Sequence, residues 1–234
     1  MRGLAALLCC ALAGVATAQV SGSASGVSDY RYRGNTFSDR QPAAQGGVTY
    51  DDPDGAYAGV FGSTVLLKPP AGPRSHFQSI VFAGYAKRLP SGISVEAGGD
   101  YSAFNGAYEL NYGEFYLGVA NDSLNARIYY SPKYFGQSSS AVYGEINATQ
   151  PLFDRVRLIM HAGLLRYRYE SVYLDGFASE PSQNVADGRV GLRFDLDPLL
   201  LEVAWVGISN HTAAYLITGS RSPNAAVVTL SVSF

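Results

Sequence analysis

The sequence predicts an all-β fold, specifically a transmembrane antiparallel up-and-down β-barrel of about twelve strands. Three observations carry this. Apolar and polar residues alternate with period two along segment after segment. Tight turns alternate with longer loops along the chain. The last strand is amphipathic and ends on an aromatic residue, Phe234. Composition agrees: only 15% of the 234 residues are charged, against roughly 25% in an ordinary soluble domain. Hydrophobic residues at 47% exclude disorder as a whole-chain description. Seventeen basic and nineteen acidic residues give a net charge of −2, which excludes a basic nucleic-acid binder and an acidic tail.

The first eighteen residues read as a cleaved signal peptide. Arg2 provides the positive start, Gly3 to Val15 are an apolar stretch, and Ala16-Thr17-Ala18 is an A-x-A cleavage site. Leu8 before Cys9 does not fit a lipoprotein box. Both cysteines, Cys9 and Cys10, lie in this segment, so the mature chain 19–234 has no disulfide framework. No later stretch has 18 consecutive apolar residues, so a membrane helix is excluded. An exported, cysteine-free, Tyr- and Gly-rich chain of one domain fits a barrel in the outer membrane, whose spans are only about ten residues of alternating polarity.

The strands are expected at 20–33, 42–51, 55–67, 76–88, 92–104, 108–120, 124–135, 140–150, 155–169, 184–196, 199–209 and 224–234. In the last, Val228, Leu230, Val232 and Phe234 share one face, and Thr229, Ser231 and Ser233 the other. Val95 and Ala97 oppose Glu96 and Asp100; Ala126, Ile128 and Tyr130 oppose Arg127 and Lys133; Val142 and Ile146 oppose Tyr143 and Glu145. Val190, Leu192 and Phe194 oppose Arg189, Arg193 and Asp195, and Val203 and Trp205 oppose Glu202. In strand nine the parity switches near Gly163, where a β-bulge is expected. Period two alone fits a soluble sandwich equally well. The turns decide: Asp-Pro-Asp, Leu-Pro-Ser, Asn121-Asp122-Ser123, Pro151 to Asp154 and Asp197-Pro198 close every second connection, while most of the others are longer. Short turns on one rim and long loops on the other are a barrel arrangement. Tyr30, Tyr32, Tyr50, Phe104, Tyr108, Tyr134, Phe135, Tyr167 and Tyr169 lie near strand ends, as an interfacial aromatic girdle would.

The start of the mature chain runs Val27-Ser28-Asp29-Tyr30-Arg31-Tyr32-Arg33-Gly34, then Ser38-Asp39, Gln41-Pro42-Ala43, Gln45-Gly46-Gly47, Gly55-Ala56-Tyr57-Ala58-Gly59 and Ser63. Over residues 20–65 this resembles the TorF-type porin family, the Gcw-type outer-membrane proteins of unknown function. Tyr32 stands where that family usually has Phe. The resemblance implies a Gram-negative outer-membrane barrel and a channel, with no established solute and no catalytic residues.

Strand parity turns the charges inward, since Arg or Lys facing lipid at mid-depth costs about 2–4 kcal/mol. Arg31, Arg33, Glu96, Asp100, Arg127, Glu145, Arg189, Arg193 and Glu202 are therefore expected to line the lumen, with Asp29, Lys133, Arg157 and Asp195 beside them. Glu96, Asp100, Glu145, Arg189 and His161 fall near mid-height, and Asp29, Arg31 and Arg33 near the outer rim. Twelve strands about 4.8 Å apart, tilted near 40°, give a backbone diameter of roughly 24 Å. The expected function is diffusion of small polar solutes across the outer membrane. One alternative is a non-conducting structural or adhesive barrel working through loops Glu170–Gln183 and Asn210–Pro223. Another is a lipid hydrolase using Ser209-Asn210-His211. The sequence has no G-x-S-x-G, H-E-x-x-H or P-loop, and Asp51, Asp52 and Asp54 read first as a turn. No enzyme activity, metal or cofactor is expected. The expected partners are outer-membrane lipid, small polar solutes and the barrel-assembly machinery, which would read Phe234; nucleic acid is not among them.

Overall fold

Alternating side chains force each strand to choose a face for its apolar residues, and a closed ring of such strands has no unpaired edge. The computed structural model, which describes residues 19–70, 72–137, 140–168 and 182–234, resolves that choice as a closed antiparallel barrel of twelve strands. In chain order the strands are β1 (Gln19–Val27), β2 (Arg31–Tyr32), β3 (Asn35–Thr36), β4 (Ala43–Asp51), β5 (Ala56–Leu67), β6 (Ser75–Arg88) and β7 (Ser94–Phe104). They continue with β8 (Tyr112–Ala120), β9 (Leu124–Ser131), β10 (Ala141–Phe153), β11 (Val156–Arg168), β12 (Ser182–Asp195), β13 (Leu199–Ile208) and β14 (Ala225–Ser233). A single α-helical turn, α1 (Tyr215–Thr218), precedes β14. All barrel strands pair with their chain neighbours, and β1 pairs with both β4 and β14 to close the ring. Strands β2 and β3 are not in the wall; they form a separate two-stranded hairpin.

The apolar faces point outward. Val228 and Leu230 are 42% and 44% exposed, a state that water would not tolerate across a whole sheet but hydrocarbon favours. Val60, Val81, Leu117, Ile128, Ile146, Val203 and Trp205 are exposed on the same outer surface. The turns after β4, β6, β8, β10 and β12 are short, and both described termini share their rim. Most connections at the other rim are longer, and several fold back over the barrel mouth.

Three sequence expectations are corrected. The first strand ends at Val27, not at residue 33. Residues 28–42 turn into the lumen, with Arg33 and Gly34 at φ 50° and 74° making the bend between β2 and β3. Strand β11 has no bulge at Gly163: its register with β10 and β12 runs unbroken through that residue. Leu165 and Tyr167 face inward because an apolar core awaits them there, so the apparent parity switch is a change of lumen content rather than of backbone. Finally, Tyr30, Phe104, Tyr134, Phe135 and Tyr167 are buried inside the barrel and form no girdle, whereas Tyr50 and Tyr108 are exposed. The signal peptide, Tyr169 and most of the Glu170–Gln183 loop lie outside the described residues.

Candidate functional site

The lumen has two halves of different chemistry. The half nearer the long loops is filled. Phe37, carried in by the segment after β3, is 1% exposed and packs against Tyr30, Tyr32, Phe104 and Phe135 at centroid distances of 5.0–6.2 Å. Leu67, Leu110, Leu165, Val185, Ile208 and Ile217 complete this core. Aromatic pairs at such distances add about 0.5–1.5 kcal/mol each beyond their buried area. A void among Tyr32, Phe37, Phe135 and Ile217 measures about 20 Å³, room for roughly one water.

Polar contacts hold the insert in register. Asp29 accepts hydrogen bonds from Thr36 Oγ1 (2.6 Å) and Arg31 Nε (2.7 Å). Ser38 Oγ accepts from the Tyr30 amide and donates to the Gln41 carbonyl. From above, Ser222 Oγ accepts from the Thr36 amide, Ser220 donates to Asp39, and Arg31 reaches the Pro223 carbonyl at 2.9 Å.

Arg33 fastens the insert to the wall. Its guanidinium makes a two-pronged contact with Glu114 at 3.0 and 2.6 Å. It lies over the rings of Tyr143 (4.3 Å), Tyr32, Tyr129 and Tyr134. Both partners of the ion pair have side chains no more than 5% exposed, so the pair carries its full desolvation cost and depends on this geometry. Burial raises the Tyr30 and Tyr32 phenols well above their usual range, and raises Tyr134 to about 12, with Arg33 pulling each back down. These phenols stay neutral at physiological pH.

The half nearer the short turns is polar. Glu96 receives Arg127 at 2.5 and 3.1 Å and the Tyr57 hydroxyl at 3.0 Å, and Tyr57 meets Tyr116 at 2.8 Å. Gly84 and Gly98, paired across β6 and β7, leave the trough in which these two phenols lie; a Cβ on Gly98 would sit 2.5 Å from the Tyr116 hydroxyl. Across the lumen, Arg189 and Arg193 both bind Glu202, and Arg157 binds Asp195 at 2.9 Å. Higher on that wall His161 joins Asp187 (2.8 Å), Asn147 (2.7 Å) and Tyr143.

Glu96, Asp100, Arg127, Glu145, Arg189, Arg193 and Glu202 lie on the inner face, sharing strand parity with the buried Ser102, Ser131, Tyr143, Asp187 and Ile208. Asp100 stands across the ladder from Glu114, and Glu145 accepts from Tyr129. Arg31 and Arg33 also lie inside, but on the insert rather than on a wall strand at the rim. Lys133 is exposed beyond the end of β9. Sequence reasoning passed over Glu114, Asp187, Tyr116 and Tyr129. The first was legible from the alternation Tyr112-Glu114-Tyr116 against Gly113-Phe115-Leu117, and Asp187 shares parity with Arg189. Ser209, Asn210 and His211 do not assemble: Asn210 caps a turn at Thr212, Ser209 Oγ accepts from the Ala186 amide, and the exposed His211 ring bonds to neither. No group of three or more metal-ligating side chains occurs among the described residues.

A family model for bacterial proteins of unknown function, Gcw_chp, matches residues 12–234. The chain belongs to that family. No curated protein matches it. Among solved structures, the KdgM porin in complex with disordered oligogalacturonate is similar at 12% identity and a TM-score of 0.50, covering 93% of this chain and 98% of that one. The NanC porin is similar at 12% identity and a TM-score of 0.51, covering 92% and 99%. At such identities the likeness is one of fold: this Gcw_chp chain has the closed barrel of outer-membrane porins.

Proposed function

We propose that the protein is an outer-membrane channel for small polar solutes, of the TorF-type porin kind, and that the conformation described is its closed state. The observation that carries this is the division of the lumen. Nearer the short turns the lumen is a vestibule walled by part-exposed charged side chains, and above it a single segment, residues 28–42, supplies the Phe37 seal and the Arg33 anchor. The segment is tied to the wall by polar groups that can exchange their partners for water, unlike a wall strand. The inward charges Glu96, Asp100, Arg127, Glu145, Arg189, Arg193 and Glu202 would line the route once it moves. The run that resembles the TorF-type family contains this same segment. Export through an N-terminal signal cleaved after Ala18, and delivery by the assembly machinery through Phe234, complete the proposal.

The test is planar-bilayer recording of the wild-type barrel beside a variant in which residues 29–41 are replaced by a short Gly/Ser linker. The wild type should be shut most of the time and the variant persistently open. A variant that shows heat-modifiable mobility, and so is folded, yet never conducts would overturn the proposal and favour a non-conducting structural barrel.

A further inference from the structure

Strands β11 and β12 place Arg157 directly opposite Arg193, and His161 directly opposite Arg189. Arg157 and Arg193 are like charges facing each other across the ladder, which destabilises a sheet, so that pair needs anions nearby. The wall supplies two for its three arginines. Glu202 on β13 lies across from Arg193 and is held by both Arg189 and Arg193. Asp195 holds Arg157. Although Arg189 and Arg193 are four residues apart on one strand, about 13 Å, their guanidiniums converge on the two oxygens of one carboxylate. Glu202 thus occupies a two-arginine clamp built for a carboxylate.

Three arginines here share two carboxylates. Three guanidiniums carry about fifteen N–H donors. Among the described residues, carboxylates take one nitrogen each from Arg157 and Arg189, and Nε and Nη2 from Arg193. Arg157 and Arg189 side chains are each 38% exposed, on the lumen side of the wall. Planar guanidinium forks with free donors recognise carboxylates two bonds at a time.

We propose that the Arg157–Arg189–Arg193 face of the vestibule is a binding site for small organic anions bearing carboxylates. This deepens the channel proposal by naming a solute class, and rests on it for the solute's route, though binding itself needs only the vestibule. A solute carboxylate takes the free donors of Arg157 and Arg189 beside Glu202, which competes with it for the clamp.

Isothermal titration calorimetry of the full barrel in detergent at low ionic strength, with citrate as probe and galactose as neutral control, tests this. Citrate should bind saturably and galactose should not. Arg157→Gln and Arg189→Gln should each weaken citrate binding about tenfold or more. Glu202→Gln should tighten it several-fold by removing the internal competitor, an effect that a merely structural carboxylate would not give. Absence of citrate binding, arginine variants that bind like wild type, or a Glu202→Gln barrel with equal or weaker affinity would each overturn the proposal. Arg157, which lies outside the Glu202 clamp, is the variant that decides if Arg189→Gln fails to fold. Citrate binding to a barrel that never conducts would sink the channel proposal and leave this one standing; conduction without citrate binding does the reverse.

Discussion

Replacing Arg33 by alanine should open the barrel. Glu114 is 3% exposed and receives both prongs of the Arg33 guanidinium, with the Tyr32 hydroxyl at 3.3 Å as its other partner. Without the cation a buried carboxylate is left with one neutral hydrogen bond. Removing one partner of a buried ion pair costs about 3–5 kcal/mol. Displacing residues 28–42 lets water reach Glu114, so the penalty falls on the closed state alone. At about 1.4 kcal/mol per factor of ten, the closed-to-open ratio should fall by roughly two to three and a half powers of ten. Single-channel recording reads this directly as open probability. The double variant Arg33→Ala/Glu114→Ala removes the orphan charge and should recover much of the closure. If Arg33→Ala opens no more often than wild type while the barrel stays folded, the insert is not held by this pair and the gating argument fails.

Alkaline pH should also release the insert. Tyr30 and Tyr32 keep their protons in the closed state because burial raises their pKa, whereas exposed phenols titrate near 10. Closure is therefore unaffected below about pH 10 and weakens above it, by up to about 1.4 kcal/mol per phenol per pH unit; conductance measured from pH 8 to 11 should rise only above 10, and a rise centred near neutrality would contradict this. Val203→Lys, on the outer face near the middle of β13, should cost about 2–4 kcal/mol of barrel stability in bilayers; a neutral result in lipid-based unfolding would mean that this face does not meet hydrocarbon. Gly98→Val should displace Tyr116 and strain the Ala83 carbonyl, 2.6 Å from the added Cβ, lowering stability by about 1–3 kcal/mol; an unchanged thermal transition would show that the trough has slack.

The wall was legible because hydrocarbon outside and water or core inside impose one rule on every strand. Val228, Leu230, Glu96, Arg127 and Arg193 fall on the faces that parity assigns them. The insert was not legible. Residues 28–33 alternate as a strand does, and nothing local distinguishes a strand continuing along the wall from one that turns into the lumen. The sign was present only in Gly34 and in the Asp29, Ser38 and Asp39 side chains, which serve turns and caps rather than ladders. The aromatics misled for a related reason. Tyr134, Phe135 and Tyr167 sit at strand ends, as girdle residues do, and the choice between lipid headgroups and an interior core depends on what fills the lumen.

The ring closes where β1 meets β14, over five residue pairs, while β1 meets β4 over nine. Beyond Val27, the last residue of that seam, the chain dives inward and returns to the wall as β4 only at Ala43. The segment is tethered at both ends to neighbouring staves, so it cannot be delivered afterwards as a separate cork. Either it has already folded against the open sheet when the final strand docks, or it must climb over the rim of a finished cylinder. The first order makes the contents a template for the container: Phe37 and Arg33 would gather the sides of the sheet around themselves, and removing them would slow closure as well as leave the mouth unstoppered.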